Sequence, residues 1–337
     1  MKILIYSPLF YPSVGGIETV VTILAEEFVS LGHEVKLICQ TSATDGKSFP
    51  FEVIRYPKPQ KFLQLIQWCE VYFQPTISLK GIWPLLIFPK PWVVSHNNWY
   101  TRPDGRIAWQ DRLKQFLLRF ATGISVSQAI ANHVSTPSTV INNPYQEDIF
   151  YEMPEVSRDR ELVFLGRLVS DKGVDLLLDS VANLKNLGLF PKLTIIGTGI
   201  EETRLRQQVK HLKINEQVEF VGVKLEQELT KLLNAHKIMV IPSRWQEPFG
   251  IVALEGIACG CVIVGSEQGG LKDAINSCGI TFPNGNIQVL TQILYDLLSD
   301  DNQLLKFREK SELHLIKHKK SLVAKAYIKV FERAVGQ

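Results

Sequence analysis

Short apolar runs alternate with amphipathic segments along this chain, and turn residues bound each apolar run. The alternation is typical of parallel sheets whose strands are joined by crossover helices. In the first half, the predicted strands are KILIYS, EVKLICQ, FEVIRY, EVYFQ, WVVSH and GISVS. In the second half the pattern restarts with ELVFLG, KLTIIG, VEFVG, KIMVIPS and CVIVGS. We therefore predict two α/β domains in tandem.

A helix is predicted between the first two strands, which completes one βαβ unit. Its apolar side chains recur at helical spacing and stop at Gly32, a residue suited to end a helix. The apolar positions are Ile17, Val20, Val21, Leu24, Phe28 and Leu31.

The domain boundary is predicted in a linker from about residue 143 to 160, which is rich in Pro, Asn and charge and has no periodicity. The two domains are then residues 1–150 and 151–320, both doubly wound and Rossmann-like, facing each other across a cleft. In such sheets, ligands bind beyond the carboxyl ends of the strands.

Composition narrows the class of protein only a little. Of the 337 residues, 45% are hydrophobic and 21% are charged, as in ordinary globular proteins. The net charge of +3 is too mild to indicate nucleic-acid binding. One dense basic run, from His314 to Lys325, leaves two readings open: a solvated surface, or a weak site for anionic lipid or a phosphorylated partner.

Other features favour a cytoplasmic protein. The five cysteines form no CxxC pair and have no His at zinc spacing, which indicates reduced core thiols. The start MKILIYSP is typical of a first strand and lacks the pattern of a signal peptide. The longest apolar stretch, GIWPLLIFPKPWVVS, is too short and too broken to span a membrane.

The turn after the first strand, PLFYPSVGGIETVV, places Gly15 and Gly16 just before a helix. Backbone amides and the helix dipole can approach an anion there without a Cβ in the way. A tight turn without a ligand explains the two glycines equally well. No third glycine follows at the spacing of a dinucleotide-binding loop.

A second loop, in FLGRLVSDKGVDLLLD, joins a strand that ends at Gly166 to a helix that begins near Gly173. It places Arg167 and Lys172 at the sheet edge where ligands bind. Two cations in this position either hold a diphosphate or are only solvated.

Two acids bracket an apolar stretch in PSRWQEPFGIVALEG. Glu247 precedes a helix predicted to begin near Gly250, and Glu255 lies in its second turn. The free N–H groups of that helix favour an anion, so the two carboxylates are expected to accept hydrogen bonds from neutral hydroxyls on either side of it. A nucleoside diphosphate sugar has this layout. The alternative is a capping acid plus a surface acid.

The stretch RWQEPFGIVALE resembles the E-x7-E element of retaining glycosyltransferases of the GT-B fold, family 4 (glycosyl transferases group 1). The similarity covers nearly the whole chain, because further segments match the family in order and spacing. These segments are GGIETVVTILAEEFVSLGHEVKLI, GRLVSDKG, IIGTGIEETRL and SEQGGLKDAI. The resemblance implies a GT-B fold in which the C-terminal helix, about 321–337, crosses back to the first domain.

The resemblance also implies roles for individual residues. Arg167 and Lys172 would contact the donor diphosphate, which Gly16 would approach from the first domain, and Glu255 would bind the ribose. The implied catalytic set is His96, Arg167, Lys172 and Glu247. The implied donor-binding set adds Gly15, Gly16, Gly166, Val223, Pro248, Phe249, Gly250, Ile251 and Glu255. Without the resemblance, His96 at a strand end would be taken as a structural histidine.

The implied activity is transfer of a hexose from a nucleoside diphosphate sugar, with UDP-glucose as the expected donor, to a saccharide or lipid-linked saccharide. Polysaccharide or glycolipid synthesis is the expected context, with peripheral membrane contact left open. No cofactor and no metal are expected, because no DxD pair is present and the cations and helix N-terminus can neutralise the departing diphosphate. Two alternatives remain: a nucleotide-sugar epimerase of the same fold and a non-catalytic sugar-nucleotide binder.

The sequence departs from the family pattern at the domain junction. In INNPYQ, Pro144 replaces the usual Gly and Gln146 the usual Asp, which affects the shape of the hinge rather than the chemistry. The first domain is also compact between Tyr56 and Trp92. The tryptophans of this region are expected to be mainly core residues, with an acceptor contact as the alternative. They are Trp68, Trp83, Trp92 and Trp99.

Overall fold

A computed structural model describes residues 1–13, 15–42, 46–101 and 108–336. The chain divides into two compact units. The first unit is Met1–Pro144 together with His318–Gln337, and the second is Tyr145–Lys317. The C-terminal segment is thus part of the first unit.

The boundary between the units lies earlier than the predicted residue 150, and the middle of the predicted linker is packed structure. Thr230 Oγ1 donates a hydrogen bond to the carbonyl of Ile149 at 2.8 Å, and Asn234 Nδ2 donates one to the carbonyl of Tyr151 at 2.9 Å. Phe150 between them is buried. Non-periodic sequence that is rich in Pro and charge is therefore fixed here by side-chain to backbone hydrogen bonds, which periodicity does not reveal.

The strands are β1 Lys2–Tyr6, β2 Glu34–Cys39, β3 Glu52–Arg55, β4 Val71–Gln74, β5 Trp92–His96, β6 Thr122–Ser125, β7 Ser138–Val140, β8 Arg160–Leu165, β9 Leu193–Ile196, β10 Val218–Gly222, β11 His236–Ile241, β12 Val262–Ser266 and β13 Gly279–Phe282. The α-helices are α1 Gly16–Ser30, α2 Pro59–Trp68, α3 Trp109–Leu117, α4 Gln128–His133, α5 Val174–Asn186, α6 Glu202–His211, α7 Glu226–Asn234, α8 Ile251–Ala258, α9 Leu271–Ile275, α10 Ile287–Ser299, α11 Asp301–Arg308, α12 Ser311–Ile316 and α13 Lys320–Val335.

Each unit is built on one parallel sheet. The sheet of the first unit has the order β3-β2-β1-β4-β5-β6-β7, and that of the second has the order β10-β9-β8-β11-β12-β13. All the pairings within the two sheets are parallel. This is the doubly wound, Rossmann-like α/β architecture that the alternating pattern predicts.

All the predicted strands are present, but two strands were not predicted. Both β7 and β13 lie at the edge of their sheets and are only three and four residues long. Strand β7 also exposes Val140. Such short edge strands carry too little apolar periodicity to stand out in the sequence.

Helix α1 forms because one face of its sequence is apolar. The buried side chains are Val20, Val21, Ile23, Leu24, Ala25 and Phe28. The helix ends at Ser30, two residues before Gly32, so the predicted helix end is confirmed. Helix α13 packs against it: the rings of Phe28 and Phe331 lie 5.4 Å apart.

The five cysteines are free thiols and all are buried, in agreement with their prediction as core residues. Burial raises the pKa of the Cys69 thiol to about 12 and that of Cys278 to about 11. Among the helices of the described residues, none combines the length and the apolar character needed to cross a membrane.

Candidate functional site

The candidate site lies at the carboxyl edge of the second sheet, where β8 and β11 are neighbours. The loop after β8 contains Gly166 and Arg167 and then a 3₁₀ turn, Ser170–Lys172. The loop after β11 leads to Glu247 and to α8. Because β8 and β11 pair in parallel, both loops leave the same edge of the sheet.

Gly173 allows the two loops to come together. It has φ +66°, and a Cβ at this position would lie 2.0 Å from the carbonyl oxygen of Pro242, just after β11. Only glycine tolerates both the left-handed backbone and this backbone contact. The contact places Lys172 next to the residues that follow β11.

Lys172 and Glu247 form the central ion pair of the site. Lys172 Nζ lies 2.5 Å from Glu247 Oε1, and Ser243 Oγ donates a hydrogen bond to the same oxygen at 2.7 Å. Both charged side chains are largely buried, with 24% and 15% of their side-chain surface exposed. A pair so enclosed is less screened by water than a surface pair.

Glu247 is also fixed through its backbone. It forms a parallel bridge with Gly269, and its carbonyl accepts a hydrogen bond from the Gly270 amide at 2.7 Å. Gly269 and Gly270 therefore support the loop that carries Glu247, and this explains the two glycines without any direct ligand contact.

A second ion pair, which the sequence did not reveal, joins the same two loops. Arg244 Nη1 and Nη2 bind the two carboxylate oxygens of Asp175 at 2.5 and 2.7 Å, and the Arg244 amide donates to the carbonyl of Asp171 at 2.8 Å. Burial opposes the charge on Asp175, but Arg244, with help from Arg204, holds the pKa of that carboxyl below its usual value. A bidentate pair of this kind orients the loop strongly.

Helix α8 starts at Ile251, directly after Gly250, as the sequence predicts. The helix has no side-chain cap and no acidic residue in its first turn. Its positive end therefore remains available to an anion. Phe249 is buried, which anchors the turn before the helix.

Glu255 lies in the second turn of α8 and is partly buried. Desolvation raises the pKa of its carboxyl to about 7 from a usual 4.5. Within the described part of the chain, no hydrogen bond or ion pair satisfies this carboxyl. Such a group is suited to accept a hydrogen bond from an incoming hydroxyl.

The raised pKa of Glu255 predicts how stability changes with pH. The folded protein binds the proton more tightly than the unfolded chain, so this carboxyl lowers stability as pH rises from about 4.5 to about 7. Replacement by neutral Gln removes the penalty. Glu255→Gln should therefore be more stable than the parent above pH 7, by a free energy of unfolding of about 3 kcal/mol, and should match it in acid.

Thermal unfolding of both proteins across this pH range measures the difference. The control is Glu267→Gln, which makes the same change at an exposed side chain. A constant difference between Glu255→Gln and the parent at all pH values would contradict the prediction.

Arg167 and Val223 complete the part of the predicted site that lies in the second unit. Arg167 is exposed, and its guanidinium forms no hydrogen bond or ion pair with other described residues. Val223 follows β10 and is 59% exposed. Both side chains are accessible at the carboxyl edge of the sheet.

The remaining predicted residues, Gly15, Gly16 and His96, belong to the first unit. Gly15 and Gly16 lie at the start of α1, as predicted. The Glu18 carboxylate approaches this turn closely, because a Cβ on Gly15 would contact its Oε2. An anion at this turn would have to displace that carboxylate.

His96 ends β5 and is fully buried. Its Nδ1 lies 2.6 Å from Tyr100 Oη, and its Nε2 has no hydrogen-bond partner among the described residues. Burial lowers the pKa of His96 to about 4, so the ring is neutral at physiological pH.

The four tryptophans from Trp68 to Trp99 differ in environment. Trp92 is buried, Trp68 lies under the ammonium of Lys36, and Trp99 contacts the His133 ring edge-on. Trp83 instead lines a cavity of about 220 Å³ at the carboxyl edge of the first sheet. The other lining residues include Tyr6, Gln40, Tyr56, Phe62 and Lys80.

A larger concavity of about 640 Å³ lies between α5, the end of α6 and the start of α10. It contains none of the predicted site residues. In the described residues, no cluster of three or more His, Cys, Asp or Glu side chains could hold a metal ion.

The basic run from His314 to Lys325 is divided between two helices. His314 and His318 are buried and donate to the carbonyls of Ala274 and Asn143 at 2.7 and 3.0 Å. The two histidines are therefore structural.

These observations define a doubly wound protein with a cationic, hydroxyl-accepting site at the carboxyl edge of its second sheet. The model of the family described as glycosyl transferases group 1 matches residues 146–314, which is half of the chain. The chain therefore belongs to the group 1 glycosyltransferases.

Solved structures show the fold. Sucrose-phosphate synthase from Thermosynechococcus elongatus superimposes with a TM-score of 0.83 at 17% identity, covering 98% of each chain. Anabaena Alr3699/HepE, in complex with UDP and glucose, gives 0.82 at 19% identity and covers 99% of this chain and all of its own. The expected GT-B fold is thereby confirmed.

The first curated relatives are matched over only part of their length. Glycogen synthase of Mycobacterium tuberculosis is 32% identical over 142 residues, which is 42% of this chain and 34% of that protein. The chain spans between about a third and a half of the length of the first curated relatives that it matches.

Proposed function

We propose that this protein is a retaining, metal-independent hexosyltransferase. It moves glucose from UDP-glucose to a saccharide or a lipid-linked saccharide acceptor in polysaccharide or glycolipid synthesis. The observation that carries the proposal is the Lys172–Glu247 ion pair beside the uncapped start of α8.

The site suits each part of a nucleoside diphosphate sugar. Lys172, Arg167 and the first amides of α8 supply positive charge for the diphosphate. The Glu247 carboxylate, which already accepts hydrogen bonds from Lys172 and Ser243, also accepts hydrogen bonds from the sugar hydroxyls. The desolvated Glu255 carboxyl accepts one from the ribose. The exposed segment around Val223 contacts the base.

The reaction breaks the bond between the anomeric carbon and the phosphate oxygen. The acceptor oxygen forms a new bond to that carbon from the same face, and its proton passes to the departing phosphate oxygen. The negative charge grows on the diphosphate as the bond breaks, so fixed cations at that position lower the barrier.

The cavity beside Trp83 is a fitting place for the acceptor. Aromatic walls stack on the apolar face of a sugar ring, and Gln40 and Lys80 can bind its hydroxyls or an attached phosphate. UDP is the preferred nucleotide because Alr3699/HepE, which has the same fold, was solved with UDP and glucose.

The test combines binding with turnover. Calorimetry with UDP, ADP and GDP in EDTA should show UDP binding most tightly. Proton NMR of the protein with UDP-glucose should then show slow transfer to water, and faster transfer to glucose or an alkyl glucoside. The α anomer of free glucose should form first.

Each part of the proposal has its own contrary result. Early release of the β anomer would overturn retention, and equal binding of the three nucleotides would overturn the choice of UDP. A new UDP-hexose in the absence of acceptor would identify an epimerase. Tight binding with no turnover of any UDP, ADP or GDP sugar would identify a binder.

A further inference from the structure

Helix α3 and the 3₁₀ turn that follows it, Leu118–Phe120, expose an apolar side to solvent. Among the residues of α3, none is buried. Four large apolar side chains, spaced four, three and four positions apart, form one outward stripe. We call them the α3 stripe: Trp109 at 69% exposure, Leu113 at 39%, Phe116 at 52% and Phe120 at 71%.

The side of α3 that faces the protein is partly polar. Asp111 and Lys114 are partly buried there and form an ion pair at 3.3 Å, and Leu118 in the following turn is buried. An ordinary surface helix shows the reverse arrangement, with apolar residues inward and charges outward. The α3 stripe is therefore left exposed to another apolar environment.

Two members of the α3 stripe are in direct contact, and arginines lie beside the stripe. The rings of Phe116 and Phe120 meet edge to face with centroids 6.0 Å apart, and the Arg119 guanidinium lies 5.6 Å from the centre of the Phe116 ring. Arg112 and Arg119 are exposed beside the stripe. Asp111 is the sole acid from Ala108 to Phe120, and it is already paired.

We propose that α3 and its following turn lie in the interface of an anionic lipid membrane. Trp and Phe side chains at the headgroup level, with Arg beside them, are the composition that such a helix requires. A second copy of the chain fits less well. A symmetric contact would place Arg112 and Arg119 of each copy against the same stripe of the other, without an acid to pair with them.

This proposal does not rest on sugar transfer, because it concerns a surface of the first unit that carries none of the predicted donor residues. It also differs from the basic run at 314–325, whose two histidines are buried. The association would bring the protein to a surface where lipid-linked substrates are found.

The experiment is flotation of the full chain with vesicles, without nucleotide. The vesicles are phosphatidylcholine alone or phosphatidylcholine mixed with phosphatidylglycerol. The double variant Trp109→Ser/Phe116→Ser removes the aromatic anchors, and Arg112→Gln/Arg119→Gln removes the charges. The matched control is Leu187→Ser/Phe190→Ser, which changes two side chains of 56% and 62% exposure in the second unit.

The parent should bind the mixed vesicles and bind phosphatidylcholine weakly. Loss of the anchors should weaken binding by about tenfold or more, and loss of each charge by roughly fivefold. The control should bind like the parent. Brominated lipid should quench the tryptophan fluorescence of the parent more than that of Trp109→Phe.

Two results would overturn the proposal. One is vesicle binding that the α3 variants leave unchanged. The other is a parent dimer, seen by analytical ultracentrifugation, that the α3 variants dissociate; the stripe would then be an interface between copies. Because the changed side chains are exposed, unfolding temperatures should stay near that of the parent and confirm that the variants fold.

Discussion

Lys172→Ala and Arg167→Ala are each expected to lower kcat for sugar transfer by about 10²-fold to 10³-fold. In the proposed reaction, both cations meet the negative charge that grows on the diphosphate as the sugar bond breaks. Their interaction is therefore stronger in the transition state than with bound donor, and their loss should reduce kcat more than it raises the donor KM.

Lys172 also has a partner in the absence of donor, and this shapes the expected result. Its ammonium lies 2.5 Å from Glu247 Oε1. Without the ammonium, the Glu247 carboxylate loses its charged partner and keeps the neutral hydrogen bond from Ser243 Oγ at 2.7 Å. Lys172→Ala should thus disturb the sugar side of the site as well, whereas Arg167→Ala should act on the diphosphate alone.

The measurement is release of UDP from saturating UDP-glucose, with water or an alkyl glucoside as acceptor. The control variant is Lys237→Ala, which breaks an exposed ion pair with Asp301 in the same unit. Such a pair contributes about 0–1 kcal/mol, so its loss should not change kcat. Parent activity should persist in EDTA. Rates near the parent value for both site variants, or a strict need for Mg²⁺, would remove these residues from the proposed role.

The fold was largely predictable because five of the six strands of the second sheet, all but β13, are apolar runs that end at a turn. The same pattern indicated that Lys172 and Glu247 lie at one edge, since carboxyl ends of neighbouring parallel strands meet there. Their direct contact was not predictable. It depends on the close approach of Gly173 to Pro242, which involves backbone atoms and leaves no trace in hydrophobic periodicity.

The Arg244–Asp175 pair could not be predicted from the sequence for the same reason. Each residue alone is an ordinary charged position in the sequence. Only the folded loops bring the guanidinium and the carboxylate into contact. The complete burial of His96 and the outward α3 stripe are also properties of tertiary packing. The amphipathic pattern of α3 is visible in the sequence, but the pattern does not say which side faces the protein.

Gly173→Ala is expected to destabilise the second unit by about 3 kcal/mol or more. The left-handed backbone costs a residue with a Cβ roughly 1–2 kcal/mol. The new Cβ would also lie 2.0 Å from the Pro242 carbonyl oxygen, and this contact adds about 1–3 kcal/mol because backbone must move. The shift would separate Lys172 from Glu247, so donor affinity should fall as well.

The other end of helix α5 provides the matched control. Gly188 has φ +85°, but a Cβ there would meet nothing within 4 Å. Gly188→Ala should therefore cost only the conformational part, roughly 1–2 kcal/mol, and leave donor binding intact. Thermal unfolding and UDP calorimetry of the two variants separate the backbone strain, which both share, from the contact with Pro242, which only Gly173→Ala makes. If both lose the same stability, the approach of Gly173 to Pro242 does not set the geometry of the site. If Gly173→Ala keeps full UDP affinity, Lys172 does not depend on that approach to reach its ligand.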